Sequence, residues 1–398
     1  MPAVAYPRLR RTASPGRAGL RAAELSALVH DVDTLPGTWC AGAVVLVGRG
    51  PYLVVEHATG WAVRYAAYDP VRDAGRELPR NRWTPARADT VFDLASLSKL
   101  FTAIAVLQQV ERGTLDLDAP IAGYVRERGR RGARTTGGAG GGREVPDHGI
   151  TVRQLLAHTS GLRPELPLYR CAGRQERLDL LWAERPGTPP GSAHRYSDLN
   201  LLLAQQVLES VAGRPLDVLV RDGITRPLGM TRTRYRPPRG WRRQIAATED
   251  QRRPWAKLDR GPLHGEVHDE NAYALGGVAG HAGLFSTAGD LAVLCRTLLT
   301  GGSYGQARIL APSSVALLLT PPGLGFAVDQ PWFMGELAGP PSAGRAAGHT
   351  GFTGTSLVLD PATDTFLVLL ANTVHPVRRP ADSRPRAVAA THVARAVR

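Results

Sequence analysis

Lysine is the residue that this sequence most lacks. Only two of its 49 lysine and arginine residues are lysines, Lys99 and Lys257. Arginine carries nearly all of the positive charge. A position that has lysine instead can therefore require a property that the guanidinium group lacks. A buried lysine can lose its proton and act as a base, whereas arginine stays charged. The composition therefore directs attention to Lys99, three residues after Ser96.

Cysteines and long apolar runs are also scarce. Cys40, Cys171 and Cys295 are odd in number and far apart, which excludes a disulfide framework and predicts three unrelated buried thiols. No window holds the roughly 18 uninterrupted apolar residues that a membrane helix needs. The basic residues near the amino terminus precede no apolar segment of the signal-peptide kind. We therefore predict a cytoplasmic protein with no membrane span.

The overall composition is that of a globular protein with excess positive charge. Its 398 residues are 43% hydrophobic and 21% charged, enough for two or three domains. A net charge of +14 could indicate nucleic-acid binding. The densest basic runs, however, fall in the N-terminal tail and in residues 126–143, without interleaved aromatic residues. We therefore predict a solvated basic surface and no nucleic-acid partner.

Hydrophobic periodicity predicts an α+β fold: an antiparallel sheet formed from both chain ends and flanked by helices, plus an all-helical domain. The predicted strands cover residues 41–47, 52–56, 60–65, 356–360 and 365–371. The predicted helices cover residues 20–32, 97–112, 287–299 and 386–398, with others between 151 and about 235. A cleft between the two domains is the expected site.

These elements divide the chain into three parts. Residues 1–18 are predicted to be a disordered basic tail. Residues 19–120 and 273–398 form an α/β domain, and residues 121–272 form a mostly helical domain. Within the latter, the glycine- and arginine-rich residues 128–149 cannot bury apolar area and are predicted to be a flexible insertion.

Ser96 and Lys99 form an S-x-x-K pattern where a predicted strand turns into a helix. One turn apart, they share a helix face, and the helix N-terminus favours negative charge on the serine oxygen. A neutral amine beside the hydroxyl could take its proton. The alternative is an N-cap serine followed by a surface lysine. The helix is apolar on nearly every face, which indicates burial and favours the catalytic interpretation.

Two later motifs could complete such a site. Tyr-Ser-Asp at 196–198 precedes a helix, and a phenol facing Ser96 could relay protons to a leaving group. A helix cap beside a packed tyrosine is the alternative. His-Thr-Gly at 349–351 precedes a strand, where a glycine lets the backbone approach a ligand. A plain turn is the alternative there.

The three motifs together resemble those of class C β-lactamases, DD-carboxypeptidases and family VIII-type esterases in order and rough spacing. Residues 155–162 and 276–286 are similar to the same superfamily, and His-Asp-Glu-Asn-Ala at 268–272 resembles its penicillin-binding-protein-4B-like branch. The resemblance covers about residues 42–372. It implies a serine hydrolase that forms an acyl-enzyme on a small-molecule or peptidoglycan-derived ester or amide, without cofactor or metal.

The resemblance also implies roles for the motif residues. Ser96 would be acylated, while Lys99 and Tyr196 would share general-base and general-acid work. The N–H groups of Ser96 and Phe352 would form the oxyanion hole. The residues implied to bind the substrate are Asp198, Asn200, His349, Thr350 and Gly351.

The chain departs from the class C pattern at two positions. Asp198 stands where those enzymes have asparagine, and an acid beside Lys99 favours its charged form and shifts base duty to Tyr196. His349 stands where lysine is common and holds a weaker, pH-dependent charge. Both changes disfavour β-lactam hydrolysis and leave peptidase or esterase activity open. A catalytically silent, penicillin-binding-type ligand-binding module is the alternative function.

Other patterns are given less weight. Residues 301–305 match G-x-S-x-G around Ser303 but follow a predicted helix, so a glycine-rich loop is favoured over a nucleophile elbow. His264, His268 and Asp269 match no strong zinc spacing. We predict that His158 orients a loop near the cleft.

Overall fold

The computed structural model describes residues 6–12, 14–125, 146–340 and 344–397. Within them the strands are β1 (Arg10–Arg11), β2 (Gly42–Arg49), β3 (Tyr52–Val63), β4 (Tyr65–Asp69), β5 (Ala74–Glu77), β6 (Thr84–Pro85), β7 (Phe92–Asp93), β8 (Arg234–Tyr235), β9 (Asp250–Gln251), β10 (Gly261–Pro262), β11 (Leu284–Ser286), β12 (Ser303–Tyr304), β13 (Ala307–Arg308), β14 (Ala327–Val328), β15 (Ala347–Thr350), β16 (Ser356–Asp360) and β17 (Thr365–Ala371).

The α-helices carry most of the remaining regular structure. They are α1 (Ala22–Asp33), α2 (Ser98–Glu111), α3 (Val152–Leu156), α4 (Arg174–Ala183), α5 (Asp198–Ala212), α6 (Leu216–Val220), α7 (Arg226–Leu228), α8 (Glu270–Ala274), α9 (Ala288–Leu299), α10 (Pro312–Leu319), α11 (Pro331–Met334) and α12 (Arg384–Ala396). Residues 121–125 are also helical. A π-helical turn covers Arg221–Thr225. Short 3₁₀ turns cover Pro15–Ala18, Arg80–Arg82, Ala95–Leu97, Leu168–Arg170, Arg239–Gln244 and Gly335–Leu337.

An eight-stranded sheet built from both chain ends forms the centre of the fold. Seven strands lie in the order β1-β3-β2-β17-β16-β15-β14, and β6 pairs with β3. All pairs are antiparallel except β1 with β3. The predicted α+β class is therefore confirmed. The predicted strands 52–56 and 60–65 differ from the structure, because β3 runs unbroken to Val63, paired with β2 as far as Gly60 and then with β6.

Both faces of the sheet are covered, which explains the continuous apolar run of β2. Val45 and Val47 pack on one side in the same cluster as buried residues of α1 and α12. Val44 and Leu46 point to the opposite side, into a larger cluster with α2, α5 and α9. Successive side chains of a strand alternate between faces, so a strand buried on both faces is apolar throughout.

The amino-terminal segment differs from its prediction. Arg10–Arg11 pairs in parallel with Tyr52 and Leu53, and the Arg10 N–H donates to Pro51 O at 2.9 Å. Within the predicted disordered tail, Arg10–Arg11 are therefore a short edge strand, held by backbone hydrogen bonds that composition does not reveal, and Pro15–Ala18 form a 3₁₀ turn. Residues 128–145 of the predicted insertion lie outside the described residues, and the predicted division into two domains stays a prediction.

Two predictions, based on the few cysteines and on the lack of long apolar runs, can be compared with the structure. Cys40, Cys171 and Cys295 are buried and free, as predicted. Among the described residues, no helix is long and apolar enough to cross a membrane.

Candidate active site

Ser96 lies in the turn Ala95–Leu97 that leads into α2. The preceding Ala95 has a φ of 46°, in the left-handed region that residues other than glycine rarely adopt. Its N–H donates to Asp93 Oδ1 at 2.9 Å, which holds the turn in place. The chain thus bends sharply after β7 and presents a half-buried Ser96 at the start of the apolar helix α2. Backbone strain of this kind clusters at functional sites.

Lys99 is 0% exposed, and its ammonium group contacts three oxygen atoms besides the Tyr196 hydroxyl. Nζ lies 2.8 Å from Ser96 Oγ, 2.8 Å from Asp198 Oδ1 and 3.4 Å from the backbone oxygen of His281. Burial alone would lower the pKa of Lys99, but Asp198 and Tyr196 outweigh it and raise the pKa above its usual value. Lys99 is therefore an ammonium ion that donates to Ser96, as expected for a lysine beside an acid.

Tyr196 faces both residues. Although 42% of this side chain is exposed, its hydroxyl group interacts with Lys99 and Ser96. Its ring centroid lies 4.8 Å from Lys99 Nζ. Burial of the hydroxyl group raises the pKa of Tyr196 above its usual value of 10, although Lys99 opposes this shift. The structure thus brings together Ser96, Lys99 and Tyr196, which two separate motifs predicted to form the site.

His158, which we predicted to orient a loop near the cleft, packs against Tyr196. The two rings stack at 4.7 Å with an interplanar angle of 29°. Its Nδ1 accepts hydrogen bonds at 3.1 Å from the Ser197 N–H and from the side-chain amide of Asn200. Burial, followed by the charge on Lys99, holds the pKa of His158 well below 6.5, so the ring is a neutral acceptor.

The position of Asn200 does not support its predicted role in substrate binding. It is 0% exposed, and its Oδ1 accepts from Ser160 Oγ at 2.5 Å while its amide donates to His158. Two residues apart on a helix are about 200° apart around its axis. Because Asp198 faces the site, Asn200 faces the interior of the protein.

The turn after β15 is fastened to the chain just before Ser96. Thr353 Oγ1 donates to Asp93 O at 2.7 Å, and Thr355 Oγ1 donates to Leu94 O at 3.0 Å. A Cβ at Gly351 would lie 2.5 Å from Leu94 O, so only glycine fits against this backbone, and its predicted role in ligand approach stays a prediction. These contacts hold the turn that contains Phe352, whose ring is exposed, against residues 93 and 94, just before Ser96.

His349 and Thr350 end β15 on the opposite side of the site. His349 is buried, its ring centroid lies 5.8 Å from that of Tyr196, and its Nδ1 donates to Thr350 O at 2.7 Å. Burial and the charge of Lys99 lower the pKa of His349 to about 4. The expected pH-dependent charge is therefore absent at neutral pH, because this histidine faces a lysine in a desolvated site. Thr350 is half-buried.

Asp269 and His281 complete the charged side of the site, and sequence reasoning gave neither a defined role there. His281 Nε2 donates to Asp269 Oδ1 at 2.9 Å. Burial alone would lower the pKa of His281, but Asp269 and Asp198 raise it above 6.5. Donor atoms of Asp198, Asp269 and His281 lie within 4.8 Å of one another, a spacing that suits a metal ion, yet these groups already contact Lys99 and each other. Ser303 lies apart in the hairpin β12–β13 after α9, not at a strand-to-helix turn.

Comparisons with known proteins agree with this geometry. The family model described as Beta-lactamase matches residues 28–391. A protein of Escherichia coli (strain K12) named "Putative D-alanyl-D-alanine carboxypeptidase" is 32% identical over 95% of this chain and 89% of its own length. A solved class C β-lactamase aligns with a TM-score of 0.67 at 18% identity, covering 93% of this chain and 98% of that one. EstCE1, titled a hydrolase with promiscuous acyltransferase activity, aligns with a TM-score of 0.64 at 22% identity, covering 94% and 99%. At these identities, the solved structures establish the likeness in fold.

Proposed function

The chain belongs to the Beta-lactamase family of serine hydrolases, and we propose that it hydrolyses an ester or amide through an acyl-enzyme on Ser96. The observation that carries the proposal is the contact of three reactive groups. Lys99 Nζ lies 2.8 Å from Ser96 Oγ, and the Tyr196 hydroxyl interacts with both. A serine oxygen that touches a buried ammonium ion and a phenol is placed for attack on a carbonyl carbon.

Proton transfer in this scheme runs through Tyr196. Because Asp198 keeps Lys99 charged, the amine has no free lone pair to accept the serine proton. We assign that task to the Tyr196 oxygen, which the Lys99 ammonium stabilises as a phenolate. The same tyrosine then returns the proton to the leaving group. Since the pKa of Tyr196 is raised, kcat/KM should increase with pH into the alkaline range.

The tetrahedral intermediate is stabilised by backbone donors. We propose that its oxyanion accepts from the N–H groups of Ser96 and Phe352. The hydrogen bonds from Thr353 and Thr355 to the chain before Ser96 hold the two donors together, so little reorganisation accompanies the reaction. Water then attacks the acyl-enzyme, and the acid product leaves as Ser96 regains its proton.

Two substrate classes have separate support. The name of the E. coli relative points to a peptide that ends in D-alanine, with Thr350 and His349 near its carboxylate. The neutrality of His349 favours a second candidate, a small uncharged ester, because this residue offers no positive charge to a carboxylate at neutral pH. Exposed aromatic rings of Tyr196 and Phe352 also suit an apolar acyl group.

Three substrates and one variant test these assignments. We would offer the chain p-nitrophenyl acetate, a D-alanyl-D-alanine peptide and a fluorescent penicillin, each to the wild type and to Ser96→Ala. Release of D-alanine supports a carboxypeptidase, and ester turnover alone supports an esterase. Penicillin that binds equally to both proteins, with no turnover of any substrate by the wild type, would instead favour the silent binding module.

A further inference from the structure

Arg386 lies behind the proposed oxyanion hole, in surroundings where burial of its charged side chain is energetically unfavourable. It is 6% exposed and packs over the ring of Trp39 at 5.3 Å. Its Nη2 donates to Gly351 O and its Nη1 to Ser383 Oγ, both at 3.1 Å. Within the described part of the chain, its Nε has no hydrogen-bond partner. The carboxylate that acts on it, Asp382, is itself paired with Arg384.

Two further features disfavour a cation at this position. Burial lowers the pKa of Arg386 to about 10. The residue also stands in the first turn of α12, where the positive end of the helix dipole repels a cation. Fully buried arginines are normally paired with a carboxylate. Arg296 follows that rule, since it is equally buried and also has an unpartnered Nε, but it pairs with Asp364 at 2.5 Å.

The Gly351 carbonyl belongs to the same peptide group as the Phe352 N–H. This peptide is trans, so its C=O and N–H point in opposite directions. Arg386 binds the carbonyl from the buried side, which turns the N–H away from the interior. A charged donor on the carbonyl also polarises the peptide and strengthens the N–H as a donor.

We propose that Arg386 is a positioning residue that orients and polarises the Gly351–Phe352 peptide so that its N–H binds the oxyanion of the transition state. The inference rests on the proposed function. Because the oxyanion exists only during the reaction, removal of the charge should lower kcat and leave KM nearly unchanged.

The test uses Arg386→Met, Arg386→Lys and the matched buried control Arg296→Met. Turnover of p-nitrophenyl acetate, inhibition by an arylboronic acid that forms a tetrahedral adduct, and thermal unfolding are measured for each. Arg386→Met should lower kcat by about tenfold or more, within the roughly 10²–10³-fold that follows loss of a whole oxyanion donor. Boronate affinity should fall in proportion, whereas Arg296→Met should keep kcat even if its unfolding temperature drops.

Arg386→Lys keeps the inference testable if the methionine variant does not fold. A buried lysine loses its proton more readily than arginine, so the rate of this variant relative to wild type should fall as the pH rises. A constant ratio would overturn the inference, as would a kcat loss in Arg386→Met no larger than in Arg296→Met, or unchanged boronate affinity. A wild type that neither turns over the ester nor binds the boronate at Ser96 would instead refute the proposed function itself.

Discussion

The two sides of the candidate site shift the pKa of a buried histidine in opposite directions. On the helical side, His281 lies 2.9 Å from Asp269 and near Asp198, and these carboxylates raise its pKa despite burial. On the strand side, burial and the charge on Lys99 lower the pKa of His349 to about 4. Both rings are buried, so the charge of the neighbour decides the sign of the shift.

Asp198 links the two sides. It keeps Lys99 protonated, and the charge on Lys99 helps to keep His349 neutral. The charged groups of the site therefore lie around Lys99, whereas His349 on β15 is neutral, although Asp198 itself acts to raise the pKa of His349.

Lys99→Met should remove both the ammonium group beside Ser96 and the charge that lowers the pKa of His349. Loss of the group that touches the nucleophile should lower kcat for ester hydrolysis by about 10²–10⁴-fold. The pKa of His349 should rise from about 4 towards 6.5, because burial alone then opposes its protonation. Steady-state kinetics and histidine ¹³C NMR measure the two effects. Lys257→Met, which changes the other lysine of the chain, is the control; activity retained in Lys99→Met would contradict the account.

Asp198→Asn should shift the pH profile of kcat/KM. Asp198 raises the pKa of both Lys99 and Tyr196. Without this carboxylate the pair releases its proton at a lower pH, so the rising limb should move towards acid by about one pH unit or more. Asp118→Asn, at an exposed pair with Arg153, should leave the profile unchanged. An unmoved limb in Asp198→Asn would show that the carboxylate does not control the proton acceptor.

His349→Lys should place a cation on the neutral side. Substrates with a terminal carboxylate should then gain about tenfold in kcat/KM relative to neutral esters, which corresponds to about 1.4 kcal/mol. His349→Gln, which stays neutral, should leave the ratio as in the wild type. Competition between a D-alanyl peptide and an ester measures the ratio. A gain for both substrates alike would argue against carboxylate binding at this position.

Stability should decrease at mildly acidic pH. Below pH 6.5 an unfolded histidine takes up a proton, whereas folded His349 and the distant His375 stay neutral until about pH 4. Stability is thus lost as the pH falls from 6.5 to 4, by at most about 1.4 kcal/mol per pH unit for each residue. Urea unfolding at pH 7, 6 and 5 should show a shallower decline for His349→Gln. An equal decline in wild type and variant would mean that His349 is not held neutral.

The sequence predicts what depends on local spacing. Ser96 and Lys99 are three residues apart, so their contact follows from the helical turn that leads from Ala95–Leu97 into α2. The apolar runs of β2, β16 and β17 likewise predict a sheet buried on both faces. The motifs around Tyr196 and His349 indicate the rest of the site only through their resemblance to a known family. They lie far from Ser96 in the sequence, and that separation does not predict how close the side chains are in the fold.

Other features depend on tertiary packing and could not be predicted. Asn200 belongs to a motif, but the phase of α5 turns it inward. Arg386 is one arginine among many, and only the fold places it against Gly351 O. The strand Arg10–Arg11 joins the sheet through backbone hydrogen bonds, to which side-chain composition gives no guide.

The central claim, that Ser96 is an activated nucleophile, is tested most directly by intact mass after exposure to a fluorophosphonate. Wild type and Ser303→Ala should each gain the mass of one phosphonyl group, and Ser96→Ala should gain none. No adduct on the wild type, or an adduct of equal yield on Ser96→Ala, would contradict the claim.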